Sequence, residues 1–97
     1  MRRAPRTDSN HTEIVSALRQ VGCKVQSLAG MAGGVPDLLV YCPRSKRLIL
    51  MEVKDGSLIP SLQALTSDQV RWHASWAEAP LYVVRSVEEA IMVATRA

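Results

Sequence analysis

Gly33-Gly34-Val35-Pro36-Asp37-Leu38-Leu39-Val40-Tyr41, and then Arg47-Leu48-Ile49-Leu50-Met51-Glu52-Val53-Lys54, decide how this chain is read. The first segment leaves a glycine-rich stretch and turns apolar. Pro43-Arg44-Ser45-Lys46 reads as the turn that reverses the chain into the second. Side chains alternate along a strand, so Leu48, Leu50, Glu52 and Lys54 share one face. Glu52 and Lys54 therefore project together from the end of a strand that is otherwise apolar on both faces. That is the pattern of a central strand covered on both sides. Ionised groups in such a place are costly unless paired, metal-bound or solvated. Asp37, at the mouth of the neighbouring strand, reaches the same spot if the two strands pair antiparallel.

Working outward, Asn10 and Glu13 form a capping-box-like pair. Ile14, Leu18 and Val21 recur on one helical face, and Gly22 supplies the stop. Residues 23–28 read as a short strand. Downstream, a loop surrounds Pro60. Thr66-x-x-Gln69 and Ser86-x-x-Glu89 repeat the capping pattern and open helices over 67–77 and 87–95. Leu81–Val84 is a further strand between them. The order αβββαβα predicts a single α/β domain over residues 1–97, a mixed sheet flanked by helices. Its first three strands form a meander, and the 67–77 helix carries the chain across to the fourth.

Composition excludes several classes. Hydrophobic residues make up 47% and charged residues 22%, with no Phe, so the core is aliphatic and the chain globular. No apolar run approaches the roughly 20 residues that cross a bilayer. No apolar stretch follows the N-terminal arginines, so no secretory signal is read and a cytoplasmic setting is expected. Cys23 and Cys42 lack CxxC spacing and read as a reduced thiol pair. GxGxxG, P-loop, GxSxG and HExxH patterns are missing, which removes nucleotide binding and serine hydrolysis. A net charge of +3 admits an acidic polymer as partner. Arg2, Arg3 and Arg6 lie in a basic tail over residues 1–8, and Arg44, Lys46 and Arg47 lie in the hairpin turn. Each cluster is a candidate for DNA phosphates, with a solvated face as the alternative. Trp72 and Trp76, four apart, read as core or interface, and His11 and His73 as surface histidines rather than an acid/base pair.

Two carboxylates and an ammonium converging on one point suit phosphodiester hydrolysis. Carboxylate oxygens hold a hard divalent cation such as Mg²⁺ or Mn²⁺. The cation polarises phosphate and activates water, and Lys54 orients the nucleophile or offsets developing charge. The competing reading of the same residues is a Glu52–Lys54 salt bridge at a strand end, with Asp37 merely opening a turn. On these residues alone both stand.

The wider run, Gly34-Val35-Pro36-Asp37-Leu38-Leu39-Val40 and then Leu50-Met51-Glu52-Val53-Lys54-Asp55-Gly56, resembles the PD-(D/E)XK nuclease superfamily. Within it the chain looks like the small VRR-Nuc family of stand-alone phage and bacterial proteins. The Asn10-His11 opening and Leu65-Thr66-x-x-Gln69 fit as well, so the likeness spans roughly residues 8 to 95. The resemblance implies a restriction-endonuclease-like αβββαβ core followed by a C-terminal helix. It also implies metal ligation by Asp37, Glu52 and the Val53 carbonyl, with Lys54 as the motif lysine. Glu13 corresponds to an additional acidic residue near the metal, and Gln69 to a position beside the site. Both also occupy the third position of capping boxes, which alone would explain them.

The function expected is a metal-dependent, structure-specific DNA endonuclease acting as a homodimer on a four-way (Holliday) junction. Flap, nicking or non-specific cleavage on the same centre is the alternative. A DNA-binding module that no longer cuts is the rival from another class. Two carboxylates facing phosphate argue against a mere binder.

Overall fold

The computed structural model describes residues 9–96, so Arg2, Arg3 and Arg6 lie outside the described residues. Eight elements follow in order: α1 (His11–Gln20), β1 (Lys24–Ser27), β2 (Leu38–Cys42), β3 (Arg47–Val53), α2 (Pro60–Gln63), α3 (Ser67–Ser75), β4 (Leu81–Val84) and α4 (Val87–Thr95). The four strands form one sheet in the order β1-β2-β3-β4. β1, β2 and β3 are the expected antiparallel meander, and β4 adds parallel to β3 after the chain crosses through α3. The one unexpected element is α2, a single turn that starts at Pro60 with proline in the first helical position.

Alternation gives the sheet two unlike faces. Leu38, Val40, Ile49, Met51, Val53 and Val84 point to one side and are buried against Ile14 and Leu18 of α1 and Ala90, Val93 and Ala94 of α4. Val21, expected on the same helical face, instead falls at the C-cap of α1 and is exposed. The opposite face carries Leu39, Leu48 and Leu50 beneath α3. That cover is partial: α3 buries none of its residues fully, and Leu48 is 57% exposed. The expectation that β3 is covered on both sides therefore holds for one face only. α3 is nine residues long, and Val70 on it and Trp76 at its C-cap remain exposed.

Candidate active site

Leu38 pairs with Met51 in the β2–β3 ladder, so the next step outward sets Asp37 opposite Glu52. In an antiparallel pair, opposed residues share a face. Here that face is the one under α3. The Asp37 carboxylate is fixed by the main chain of β3, its Oδ2 accepting from Val53 N at 2.8 Å.

α3 supplies the other wall. Thr66 caps it, accepting from Gln69 N through its side chain, while Gln69 Oε1 accepts from Thr66 N at 2.9 Å, a complete capping box. The same glutamine reaches the strand. Its Oε1 also accepts from Lys54 Nζ at 2.9 Å, and its Nε2 donates to Glu52 Oε2 at 2.9 Å. One side chain thus closes the capping box and also bonds to Glu52 and Lys54. Gly34 makes the approach possible. It has a φ of +83°, and a Cβ built there would lie 2.7 Å from Gln69 N. Only glycine lets the loop before Asp37 pack against the first turn of α3.

The electrostatics of the pair are unbalanced. Glu52 is 2% exposed, and Lys54 is buried beside it. Burial first, and then the neighbouring Asp37 carboxylate, push the Glu52 carboxyl up to about 8, while the Lys54 ammonium pulls the other way. Lys54 Nζ is 3.6 Å from Glu52 Oε2, a loose ion pair. Glu52 Oε1 is buried and has no hydrogen-bond partner. A salt bridge serving only the fold would satisfy both oxygens, because an orphaned buried acceptor costs about 1–3 kcal/mol. Two adjacent carboxylates with an orphaned oxygen fit a hard divalent cation, which takes few protein carboxylates and completes its shell with water and phosphate.

Glu13 is not drawn into this group. Among the described residues no three acidic, histidine or cysteine side chains gather as metal ligands. Glu13 is exposed on α1 and lines a separate cavity of about 900 Å³ with Asn10, Asp55 and Arg85. Asp37 and Gln69 line a different, more polar cavity of about 190 Å³ with Gly30 and Gly34. Helical geometry explains the separation, since the adjacent Ile14 is turned fully into the core.

A solved structure described as a VRR_NUC domain is similar to this chain, with 27% identity over 84% of this chain and 89% of that one, at a TM-score of 0.59. The likeness extends to sequence as well as fold, and it agrees with the resemblance carried by Asp37, Glu52 and Lys54. The chain's mixed sheet and flanking helices are the restriction-endonuclease-like fold expected. Scans against protein-family models and curated proteins give no match.

Other residues of the chain take places the sequence did not foretell. Asn10 makes no side-chain cap on α1. Its Nδ2 instead donates to the carbonyls of Lys54 at 3.1 Å and Arg85 at 3.2 Å, tying the start of α1 to the ends of β3 and β4. Ser9 adds a hydrogen bond to Asp55. His73 follows Gln69 by one helical turn and is half-buried. Burial first, and then the nearby Lys54 ammonium, lower its pKa. The i, i+4 spacing of Gln69 and His73 was the available signal.

Of the basic cluster in the turn, Arg47 is diverted to the fold. Its guanidinium donates to Tyr82 Oη at 3.1 Å and to the Val93 carbonyl of α4. Arg44 and Lys46 are exposed, Lys46 with a φ of +56°. They stand at the end of β2 remote from Asp37, some ~16 Å away at the usual rise per strand residue. Any phosphate they meet lies along the sheet from the site and not within it.

Proposed function

We propose that this VRR-Nuc domain, a single unit over residues 1–97, hydrolyses DNA phosphodiester bonds as a metal-dependent endonuclease whose substrate is a four-way junction. The observation that carries the reading is the Glu52 carboxylate: buried, opposite Asp37, with one oxygen held by Gln69 and Lys54 and the other without a partner. Asp37, Glu52 and the Val53 carbonyl are the residues that would hold Mg²⁺ or Mn²⁺. The cation, when bound, supplies the positive charge that polarises the scissile phosphate and activates water. The chain's own side chains do the rest. Asp37, anchored on Val53 N, and Glu52, anchored on Gln69, present oxygens in fixed positions. Lys54, held by Gln69, places an ammonium where negative charge grows in the transition state. Gln69 keeps both partners aligned, so it acts by positioning.

Arg44 and Lys46, with the basic tail at Arg2, Arg3 and Arg6, are the candidates for phosphate contacts away from the site. A junction needs two opposed cuts and a chain with one centre supplies one, so the working form is a homodimer with two-fold symmetry. The partly open sheet face, with Leu48 and Trp76 exposed, is the surface offered for the contact. Helix α4 turns Ile91 and Val93 inward instead: Val93 is 6% exposed and Ile91 packs on the core.

The test is cleavage of four-way junction, flap, duplex and single-stranded DNA with magnesium, manganese or excess chelator. Paired symmetric nicks in the junction, lost with chelator and with Asp37→Asn, Glu52→Gln or Lys54→Ala, are expected. Cleavage that persists in chelator removes the metal reading. Cleavage confined to flaps removes the resolvase reading and leaves the nuclease.

A further inference from the structure

Lys24 pairs with Tyr41 in the β1–β2 ladder, so one step outward Cys23 stands opposite Cys42. The type of that pair follows from the ladder. Leu28 N donates to the Asp37 carbonyl at 2.7 Å, which makes 28/37 a hydrogen-bonded pair. Pairs alternate, so 26/39 and 24/41 are of the same type and 23/42 falls on the non-hydrogen-bonded set. The remaining main-chain bonds agree. Cys23 N donates to Leu18 O at 3.0 Å, and the Cys42 carbonyl accepts from Lys46 N at 2.8 Å, each directed away from the other cysteine. Non-hydrogen-bonded pairs bring Cα atoms to about 4.5 Å, inside the span of about 4.4–6.8 Å that a disulfide bridges. Both thiols are free and buried in the same core cluster.

We propose that Cys23 and Cys42 are a modification site, closing to a cross-strand disulfide when the chain meets a small-molecule disulfide such as oxidised glutathione. The chemistry balances without any other reagent. One protein thiolate attacks the glutathione disulfide, forming a mixed disulfide and expelling one glutathione thiolate. The second protein thiolate attacks the protein sulfur of that mixed disulfide and expels the other glutathione. Two protein thiols are oxidised and one glutathione disulfide is reduced to two thiols. Cys42 is the first nucleophile. Burial raises its pKa, but hydrogen bonds from the Cys23 thiol and from Arg44 N and Ser45 outweigh that and hold it below the ordinary thiol value. Cys23 is pushed up to about 12, by burial first and then by its hydrogen bond to Cys42. Access comes by opening of β1, a four-residue edge strand with most of its side chains exposed. The loop so closed, residues 23–42, contains the glycine-rich segment and Asp37. The bond itself lies at the far end of β2 from Asp37, so cleavage is retained while the meander is cross-linked.

Refolding of the full chain in a glutathione redox buffer near pH 8 tests this. An acid-quenched intact mass should fall by two hydrogens, with no thiol titratable after denaturation and full reversal by dithiothreitol. The oxidised chain should melt at least ~5 °C above the reduced one, since a loop of this length is cross-linked in the unfolded state. Cys23→Ser and Cys42→Ser should each keep one thiol or a glutathione adduct and show no redox-dependent shift in Tm. Two free thiols, two glutathione adducts, or chains joined to one another after refolding would overturn the proposal.

Discussion

Gln69 Nε2 lies 2.9 Å from Glu52 Oε2, so the residue that closes the capping box of α3 also holds the buried acid of β3. Folding of one helix terminus and alignment of the site therefore depend on a single side chain. The second bond of Gln69, from Lys54 Nζ, extends the link to the cation.

The two roles separate by mutation. Thr66→Ala removes the N-cap hydroxyl but leaves Gln69 able to reach Glu52 and Lys54. It should cost about 1 kcal/mol of stability with cleavage nearly intact. Gln69→Ala should cost a similar amount and also lower kcat by roughly tenfold or more, the scale of losing about 1.4 kcal/mol of transition-state alignment. Denaturant melts beside single-turnover cleavage decide it. Equal activity losses in the two variants would reduce Gln69 to a helix cap.

Glu52 gives the metal-free chain a distinctive pH profile. Its pKa is raised to about 8 in the folded state, so the folded chain binds a proton more tightly than the unfolded chain. Its contribution to stability is full below the unfolded carboxyl value and is lost as pH rises through about 8. Tm of the chelated protein should therefore fall between pH 5 and 9, and Glu52→Gln should flatten that slope while leaving Tm at neutral pH level or higher. Divalent-metal affinity should rise with pH over 6–8 by up to about tenfold per unit, because ligation displaces the Glu52 proton. A metal affinity independent of pH across that range would remove Glu52 from the ligand set.

The hairpin from Asp37 to Lys54, the capping box at Thr66 and the crossover to β4 were all legible because each is local: alternation, turn residues and a helix start act within a few positions. What the sequence hid are contacts set by packing. Asn10 carries the signature of an N-cap, yet its side chain bonds to Lys54 and Arg85, because the start of α1 lies against the ends of β3 and β4. Arg47 reads as one of three turn cations, yet it is the one whose strand position turns it towards Tyr82 and α4. The exposure of Leu48 has a related cause. Apolar character on both faces of β3 says that each face seeks cover, and a nine-residue α3 leaves part of one open.

The turn cations should accordingly behave as two classes. Arg44→Ala with Lys46→Ala should weaken DNA binding and flatten the dependence of log affinity on log salt by about one unit per lost contact. Tm should hold or rise if Lys46→Gly is used instead, since glycine accepts its φ of +56° without strain. Arg47→Ala should do the reverse, leaving the salt slope unchanged and lowering Tm, because it strips hydrogen bonds from Tyr82 and the end of α4. Binding titrations at several salt concentrations, with melts of the same variants, check both. A slope that responds only to Arg47 would place the phosphate contact on the wrong side of the sheet for this assignment.

The last prediction concerns assembly. Leu48 is 57% exposed and Trp76 50% exposed, and with Leu39, Leu50 and the stacked Trp72 they line an apolar cavity of about 340 Å³ on the half-covered face. A small aliphatic core leaves apolar surface that a second copy would bury, and a two-fold contact would set two centres in opposed orientation. Light scattering should then report twice the 10.7 kDa chain mass. Leu48→Glu places a charge on this face at a position already open to solvent, so the monomer should fold with little change in Tm. It should run at the single-chain mass and lose paired junction nicks while keeping slow single nicks from its intact Asp37, Glu52 and Lys54. A Leu48→Glu chain that stays dimeric and still makes paired nicks would move the interface elsewhere. A wild-type chain that is monomeric at working concentration would leave the junction without a matched second cut, and the resolvase reading would fall with it.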